Sequence, residues 1–265
     1  MNTLNTHLVA AARHLVLSND EKKHINTSII NLQGKLNGWF GDEMLTHFRF
    51  GSSTRDTILP RRVDNDSDID YMVVFKNKED YKPATLLKWL RRFVENKYSR
   101  SEIYSSYPTI VLELSHIKFE LVPAIQSYWW NNVYHIPAPS SNYMDWLYTS
   151  PDDLKKSIDD ADKQYNYQIK RLVRLLKYWN VLNDKVYSSY EIEEYVSKTV
   201  FWGCSKLEDY FFYAVKWLPI GLLPQYKKDK VLRFQKKVEE IKYYYYKGGL
   251  KDYAVSELQS LLPMR

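Results

Sequence analysis

Two aspartates stand at the start of a predicted strand, in the order Asp68, Ile69, Asp70. Side chains alternate along a strand, so both carboxylates project to the same side, where they repel each other. A divalent cation relieves that repulsion, and Mg²⁺ prefers hard oxygen ligands of this kind. A third acid, Glu120, lies between apolar residues of a later predicted strand. If the two strands pair, the three carboxylates can hold two metal ions, which clamp the attacking and leaving oxygens in phosphoryl transfer.

The pair Gly51-Ser52 precedes these acids and suits a phosphate. Glycine lets the backbone approach a ligand closely, and a turn that begins at Ser52 offers N–H groups and a hydroxyl. Each signal is weak by itself, because an Asp-x-Asp sequence is more often a solvated loop or a helix cap, and Glu120 alone would be an edge-strand charge. Asp64 and Asp66 are expected in a turn. Together and in this order, the residues favour metal-dependent phosphoryl transfer.

The elements that must position these residues form a mixed half followed by a mostly helical half. Apolar residues at helical spacing predict helices over 19–40 and 82–98. Strands are predicted over 45–50 and 69–75, and over 109–114 and 117–122 as a tight hairpin that ends at Pro123. Further helices are predicted over 151–182, 188–203, 206–216 and 226–246. The expected fold class is therefore α/β (α+β), a core with a mixed β-sheet and a helical C-terminal lobe.

The composition limits the class of protein. The 265 residues carry 38 Lys and Arg against 32 Asp and Glu, a net charge of +6, and 45% are hydrophobic. These values are typical of a folded chain and exclude a disordered one. The single cysteine, Cys204, excludes a disulfide scaffold and a cysteine-based zinc cluster, and a cytoplasmic location is expected. No apolar run approaches the roughly 18 residues that a membrane span needs, so no membrane partner is expected.

The segments around the acids resemble a known family. Gly51-Ser52, then Asp68-x-Asp70, then a distant acid on a later strand is the signature of the DNA polymerase beta-like nucleotidyltransferase superfamily. Residues 51–57 (GSSTRDT) and 66–75 (DSDIDYMVVF) are similar to the cGAS/DncV-like nucleotidyltransferases, the CD-NTases of bacterial CBASS anti-phage signalling. Residues 174–180 and 188–191 resemble that family's helical lobe, and 134–137 and 149–151 resemble its linking region.

The resemblance implies a role for each residue of the acidic site. Asp68 and Asp70 would bind two ions, Mg²⁺ or Mn²⁺. Glu120 would bind the catalytic ion and help to activate the attacking hydroxyl. Gly51 and Ser52 would contact the terminal phosphates of the donor nucleotide. Relatives often have Asp as the third acid, whereas this chain has Glu.

The resemblance also implies nucleotide contacts from the helical lobe. Lys177 and Ser189 would reach the triphosphate, and Tyr190, which follows Ser189, is expected to lie under a nucleobase. The implied domains are a nucleotidyltransferase core over 1–135, with an N-terminal spine helix, and a helical substrate-binding lobe over 136–265. The family arrangement places the active site in the cleft between the two lobes.

The implied activity joins NTPs, with ATP and/or GTP expected, into a cyclic di- or oligonucleotide and releases pyrophosphate. The product would act as a second messenger on a separate effector protein in anti-phage defence. No obligatory nucleic-acid partner is expected, because the sequence has no zinc insertion and no strongly basic N-terminal arm. Constitutive activity, or control by a partner protein, is expected instead.

Three other functions use the same acids. A terminal nucleotidyltransferase acting on RNA would carry a long basic RNA-binding surface, and the net charge here is modest. Transfer of a nucleotide to a protein or small molecule is a further alternative. A catalytically inactive nucleotide-binding module is favoured if Glu120 points away from Asp68 and Asp70.

Overall fold

The computed structural model describes residues 3–106, 108–130, 132–138 and 145–264. The strands are β1 (Met44–Arg49), β2 (Asp68–Phe75), β3 (Glu102–Ser106), β4 (Thr109–Glu113), β5 (Lys118–Gln126), β6 (Tyr134–Pro137) and β7 (Trp146–Thr149). The helices are α1 (Leu4–His14), α2 (Asn19–Phe40), α3 (Pro83–Lys97), α4 (Pro151–Gln164), α5 (Ile169–Leu182), α6 (Ser189–Lys198), α7 (Leu207–Lys216), α8 (Gln225–Tyr246) and α9 (Lys251–Leu261).

Within the described residues, the seven strands form one mixed sheet. Its main order is β1-β2-β5-β4-β3, and β6 pairs with both β5 and β7. β2 and β5 are parallel, whereas β1 is antiparallel to β2 and β4 is antiparallel to β5. β2 and β5 therefore lie inside the sheet with a partner on each side, so their register is held from both edges.

One face of the sheet carries the main apolar core of this part of the chain. Ile69 and Tyr71 of β2 are fully buried and pack in one cluster with Leu36 of α2 and Leu90 of α3. α2 begins at a capping box in which Ser18 accepts from the Glu21 N–H and Glu21 accepts from the Ser18 N–H. Because successive residues of a strand face opposite sides, Asp68 and Asp70 face away from this core.

The predicted fold class is confirmed, and so are the elements that flank the acids. The helices predicted over 19–40 and 82–98 are α2 and α3, and the strand over 69–75 is β2. The sequence patterns did not predict α1, β3, β6, β7 or α9. The helix predicted over 151–182 is two helices, α4 and α5, because Asn166 and Tyr167 have φ angles of 53° and 59°, which an α-helix excludes.

The prediction that Pro123 ends the hairpin is wrong, since β5 continues through it to Gln126. β4 pairs with β5 as far as Leu121, and β6 pairs with it from Ile125. Residue 123 lies between these two ladders on that side of β5. A proline, which has no N–H to donate, is tolerated where the ladder is interrupted.

The chain divides into two compact units, and their bounds differ from the predicted division at 135/136. The helical unit comprises Met1–Val16, Arg62–Asp64 and Lys156–Arg265, and the sheet unit comprises Leu17–Arg61 and Asn65–Lys155. The sheet unit extends past 135 because β6 and β7 continue its sheet. α1 belongs to the helical unit because it packs on α5, α7 and α9, and the His7 ring bonds the Leu262 carbonyl at 3.1 Å. In the described part of the chain, every helix is too short or too polar to cross a lipid bilayer.

Candidate active site

The parallel pairing of β2 with β5 brings the predicted acids together. Asp70 lies opposite Glu120, and Asp68 lies opposite Lys118. In a sheet, residues that lie opposite each other point to the same face, and so do residues two apart on one strand. The four side chains therefore form a two-by-two patch on the face that the main core leaves open.

The electrostatics of this patch combine burial with crowded negative charge. Burial, together with the nearby Asp70 and Glu120 carboxylates, raises the pKa of Asp68 to about 8, although Lys118 opposes the shift. The side chains of Asp68 and Glu120 are 27% and 22% exposed, so water reaches them only in part. Such a carboxyl group remains protonated near neutral pH unless another cation compensates its charge.

The loop that begins at Phe50 contacts Asp70 through its backbone. The Phe50 N–H donates to the Asp70 carbonyl at 3.0 Å, and Gly51 follows with a φ angle of 72°. A Cβ atom at Gly51 would lie 1.7 Å from Asp70 Oδ2, so only glycine allows the backbone to pass this close to the carboxylate. Ser52 comes next, half-buried in a short 3₁₀ helix over Gly51–Thr54, and its carbonyl accepts from the Thr57 N–H at 3.2 Å.

Lys177, which the resemblance assigns to the triphosphate, is buried in the helical unit. Its side chain is 4% exposed, and its ammonium donates to Glu193 Oε1 at 2.5 Å. Glu193, on α6, is itself fully buried. Lys177 must exchange this carboxylate for a phosphate before it can serve the predicted role, which stays a prediction.

Ser189 and Tyr190 lie in the first turn of α6. Ser188 caps this helix through a capping box with Glu191. The turn before it is fixed by Asn180, whose side-chain amide both donates to and accepts from the backbone of Tyr187. Ser189 is exposed and the Tyr190 ring is 55% exposed. Both side chains are accessible to a ligand, and their nucleotide contacts stay predictions.

The acidic patch fits divalent cations by its donor chemistry. Asp68, Asp70 and Glu120 offer only carboxylate oxygens, which Mg²⁺ and Mn²⁺ prefer. The patch already contains one cation, because the Lys118 ammonium lies 3.5 Å from Glu120 Oε1 and 3.9 Å from Asp68 Oδ2. In the ranges that the structure describes, no three His, Cys, Asp or Glu side chains have metal-binding geometry as they stand. Metal binding here therefore requires the carboxylates to regroup around the ions.

Lys118 is the site residue that the sequence analysis missed. Its position two residues before Glu120 puts it on the same face of β5. It is a charged residue flanked by two apolar ones, Ile117 and Phe119. A lysine at such a place in an apolar strand is a signal for a nearby acid.

The comparisons with known proteins agree on one family. The model of the Second Messenger Oligonucleotide or Dinucleotide Synthetase domain, SMODS, matches residues 1–162, which is more than half of the chain. A Bacillus cereus (strain VD146) protein named Probable cyclic nucleotide synthase is 28% identical over 121 residues. That match covers 42% of this chain and spans only 36% of the length of the relative.

Solved structures give the same fold. Escherichia coli MS115-1 CdnC, solved with ATP, superposes with a TM-score of 0.75 at 17% identity, covering 97% of each chain. The same protein has also been solved in a complex with HORMA-deltaN. Bradyrhizobium diazoefficiens CdnG, a CD-NTase solved in complex with GTP, gives a TM-score of 0.73 at 12% identity, covering 97% of this chain and 98% of that one. The chain therefore belongs to the family of second messenger oligonucleotide or dinucleotide synthetases, and its fold is that of the CD-NTases.

Proposed function

We propose that this chain joins two or more NTPs into a cyclic di- or oligonucleotide and releases pyrophosphate. The observation that carries the proposal is the parallel register of β2 and β5, in which Asp70 lies beside Glu120 and Asp68 lies on the same face. The inactive-module alternative required Glu120 to point away from the two aspartates. The interaction of Glu120 with Asp68, which contributes to the raised pKa of Asp68, counts against that alternative.

The residues of the patch then have distinct tasks. Asp68, Asp70 and Glu120 would hold two Mg²⁺ or Mn²⁺ ions, which when bound lower the pKa of the attacking hydroxyl and neutralise the triphosphate. A 2′- or 3′-hydroxyl of one nucleotide forms the new bond to the α-phosphorus of the other, and the bond to pyrophosphate breaks. The backbone N–H and hydroxyl of Ser52 donate to the terminal phosphates, and Gly51 keeps that backbone against Asp70.

The proposed substrates and partners are taken from the similar solved structures. CdnC was solved with ATP and CdnG with GTP, so ATP and/or GTP are the proposed substrates. The complex of CdnC with HORMA-deltaN supports control by a partner protein over constitutive activity. The product would act on a separate effector in anti-phage defence. Lys177 and Ser189 are proposed to bind the triphosphate, and Tyr190 to stack on a base.

The test is incubation of the protein with four radiolabelled NTPs and Mg²⁺ or Mn²⁺, followed by mass spectrometry of the products. A small product that resists phosphatase supports the proposal. A ladder on added RNA would indicate an RNA nucleotidyltransferase instead, and label on protein would indicate protein nucleotidylation.

The double variant Asp68→Asn, Asp70→Asn tests the site. Turnover is expected to fall at least about 1,000-fold, because the ions lose their shared ligands. Thermal stability should hold or rise, because the crowding of acidic groups in the patch is relieved. Asp66→Asn, in the exposed turn before β2, is the matched control and should stay active. A fully active double variant would show that the assigned site is wrong.

A further inference from the structure

Lys118 lies among the carboxylates although the residues before and after it in the sequence belong to the apolar core. Ile117 and Phe119 are 1% and 0% exposed, and the Lys118 side chain is 11% exposed. A lysine is almost never this buried unless a negative charge compensates it. The Asp68 and Glu120 carboxylates, 3.9 and 3.5 Å from its ammonium, supply that charge.

The neighbouring strand offers Lys118 a third carboxylate, which is already engaged. Glu113 of β4 lies opposite Lys118 in the register. Arg61 binds it, with Nη2 2.6 Å from Glu113 Oε1, and the same nitrogen donates to the Asn65 carbonyl at 3.0 Å. Because Arg61 compensates Glu113, the Lys118 ammonium interacts chiefly with Asp68 and Glu120.

The Lys118 distances are longer than those of a tight ion pair. Charge-assisted N–H···O bonds are about 2.7–2.9 Å long, and the buried pair of Lys177 with Glu193 is at 2.5 Å. At 3.5 and 3.9 Å, the ammonium is held by the combined field of two carboxylates. Its flexible four-carbon stem lets it move away without breaking a short hydrogen bond.

We propose that Lys118 is a resident counter-cation of the acidic patch. Its ammonium screens Asp68 and Glu120 while no metal is bound, and it moves aside when divalent cations take the same oxygens. The proposal rests on the proposed function, because it takes these carboxylates to be the metal ligands. Lys118 is thus a positioning residue that acts through Asp68 and Glu120.

Two measurable effects follow from removing this ammonium. Without it, the carboxylates repel one another in the metal-free protein, so that form becomes less stable. Without it, an added cation also meets no competitor at the oxygens, so metal binds more tightly. A purely structural lysine would weaken both the fold and the metal site when it is removed.

The experiment measures Mn²⁺ affinity by electron paramagnetic resonance on nucleotide-free protein, and the melting temperature in EDTA at pH 8. Lys118→Met is expected to bind Mn²⁺ about tenfold more tightly than the wild type and to melt at a lower temperature in EDTA. Lys118→Arg keeps the positive charge beside the carboxylates, so its Mn²⁺ binding should not be tighter than that of the wild type. Lys76→Met removes an exposed lysine just after β2 and should change neither value.

Two results would overturn the proposal, and only the second would also overturn the proposed function. Unchanged or weaker Mn²⁺ binding by Lys118→Met rejects the role of Lys118 but leaves the proposed function in place. Wild-type Mn²⁺ binding that is insensitive to Asp70→Asn rejects both, because the carboxylates are then not the ligands. Lys118→Gln is measured in parallel, with the same expected tightening, in case the methionine variant does not fold.

Discussion

The two units bury charge in opposite ways. In the helical unit, Lys177 and Glu193 are both almost fully buried, and they pair at 2.5 Å. In the sheet unit, three carboxylates share a patch with Lys118, whose ammonium stays 3.5 Å or more from each carboxylate that it faces. The first arrangement matches a cation to an anion, whereas the second leaves excess negative charge, which adds to burial in raising the pKa of Asp68. The excess charge of the patch can be compensated by an added cation, whereas the charges of Lys177 and Glu193 compensate each other.

The largest expected loss of stability comes from breaking the matched pair. Lys177→Met should lower the free energy of unfolding by about 3–5 kcal/mol, because Glu193 is left as a buried charge that has lost this partner. Urea denaturation checks the value. The double change Lys177→Met, Glu193→Leu should recover most of it, since no buried charge of the pair remains.

The matched control for that prediction lies on α6, the helix that carries Glu193. Lys198 pairs with Glu194 at 2.7 Å, but the two side chains are 68% and 37% exposed. Lys198→Met should leave the free energy of unfolding almost unchanged, because exposed ion pairs contribute little. If Lys177→Met and Lys198→Met lowered the free energy of unfolding equally, burial would not set the strength of these two ion pairs.

A smaller effect on stability is expected for Gly51→Ala, with a large effect on turnover. The positive φ angle costs about 1–3 kcal/mol for a residue with a side chain, and the new Cβ must displace the Asp70 carboxylate. Turnover in the NTP assay should fall at least about 100-fold, because Asp70 moves away from Glu120.

Gly249→Ala is the control that separates backbone strain from displacement of Asp70. Gly249 has the same φ angle of 72°, but nothing lies within 4 Å of its Cβ position. Gly249→Ala should lower the free energy of unfolding about as much as Gly51→Ala does, but its turnover should stay near normal. If Gly249→Ala inactivates the protein as fully as Gly51→Ala does, contact with Asp70 is not the reason for the glycine.

The last prediction concerns how the stability of the metal-free protein depends on pH, with a slope of at most about 1.4 kcal/mol for each pH unit. The pKa of Asp68 rises on folding from 3.8 to about 8, so the folded state holds a proton that the unfolded state has lost. This stabilisation is fully present below about pH 4 and disappears as the pH rises to about 8. Denaturant titrations in EDTA should show a shallower slope for Asp68→Asn across that range. An identical slope would mean that Asp68 does not hold the proton.

Much of the sheet unit could be predicted from the sequence, because its signals are local. The apolar run after Asp70 indicates a buried strand, and alternation places Asp68 and Asp70 on one face. The register is not local, because a shift of two residues would keep the apolar side chains of β5 on the same face. The sequence alone therefore could not predict that Asp70 lies opposite Glu120 and Asp68 opposite Lys118, and the structure was needed to establish this register. For the same reason Lys118 was missed.

The elements that were not predicted depend on packing that is distant in sequence. α1 is short, and its buried residues such as Leu4 and Leu8 are covered by α5, α7 and α9. β6 and β7 have four residues each and carry weak patterns of their own. The pairing of Lys177, which is 4% exposed, with Glu193 was not predicted either, because a buried ion pair leaves no sign in the helical periodicity.

The parallel pairing of β2 with β5 also has a consequence for biosynthesis. β2 ends at Phe75, whereas β5 runs to Gln126, and β5 must dock between β2 and β4 before Glu120 reaches Asp70. A chain emerging from the ribosome therefore has two of the three acids long before it has the third. If the proposed site is correct, nucleotide turnover can begin only after β5 has paired with β2, so the onset of activity would report on that pairing.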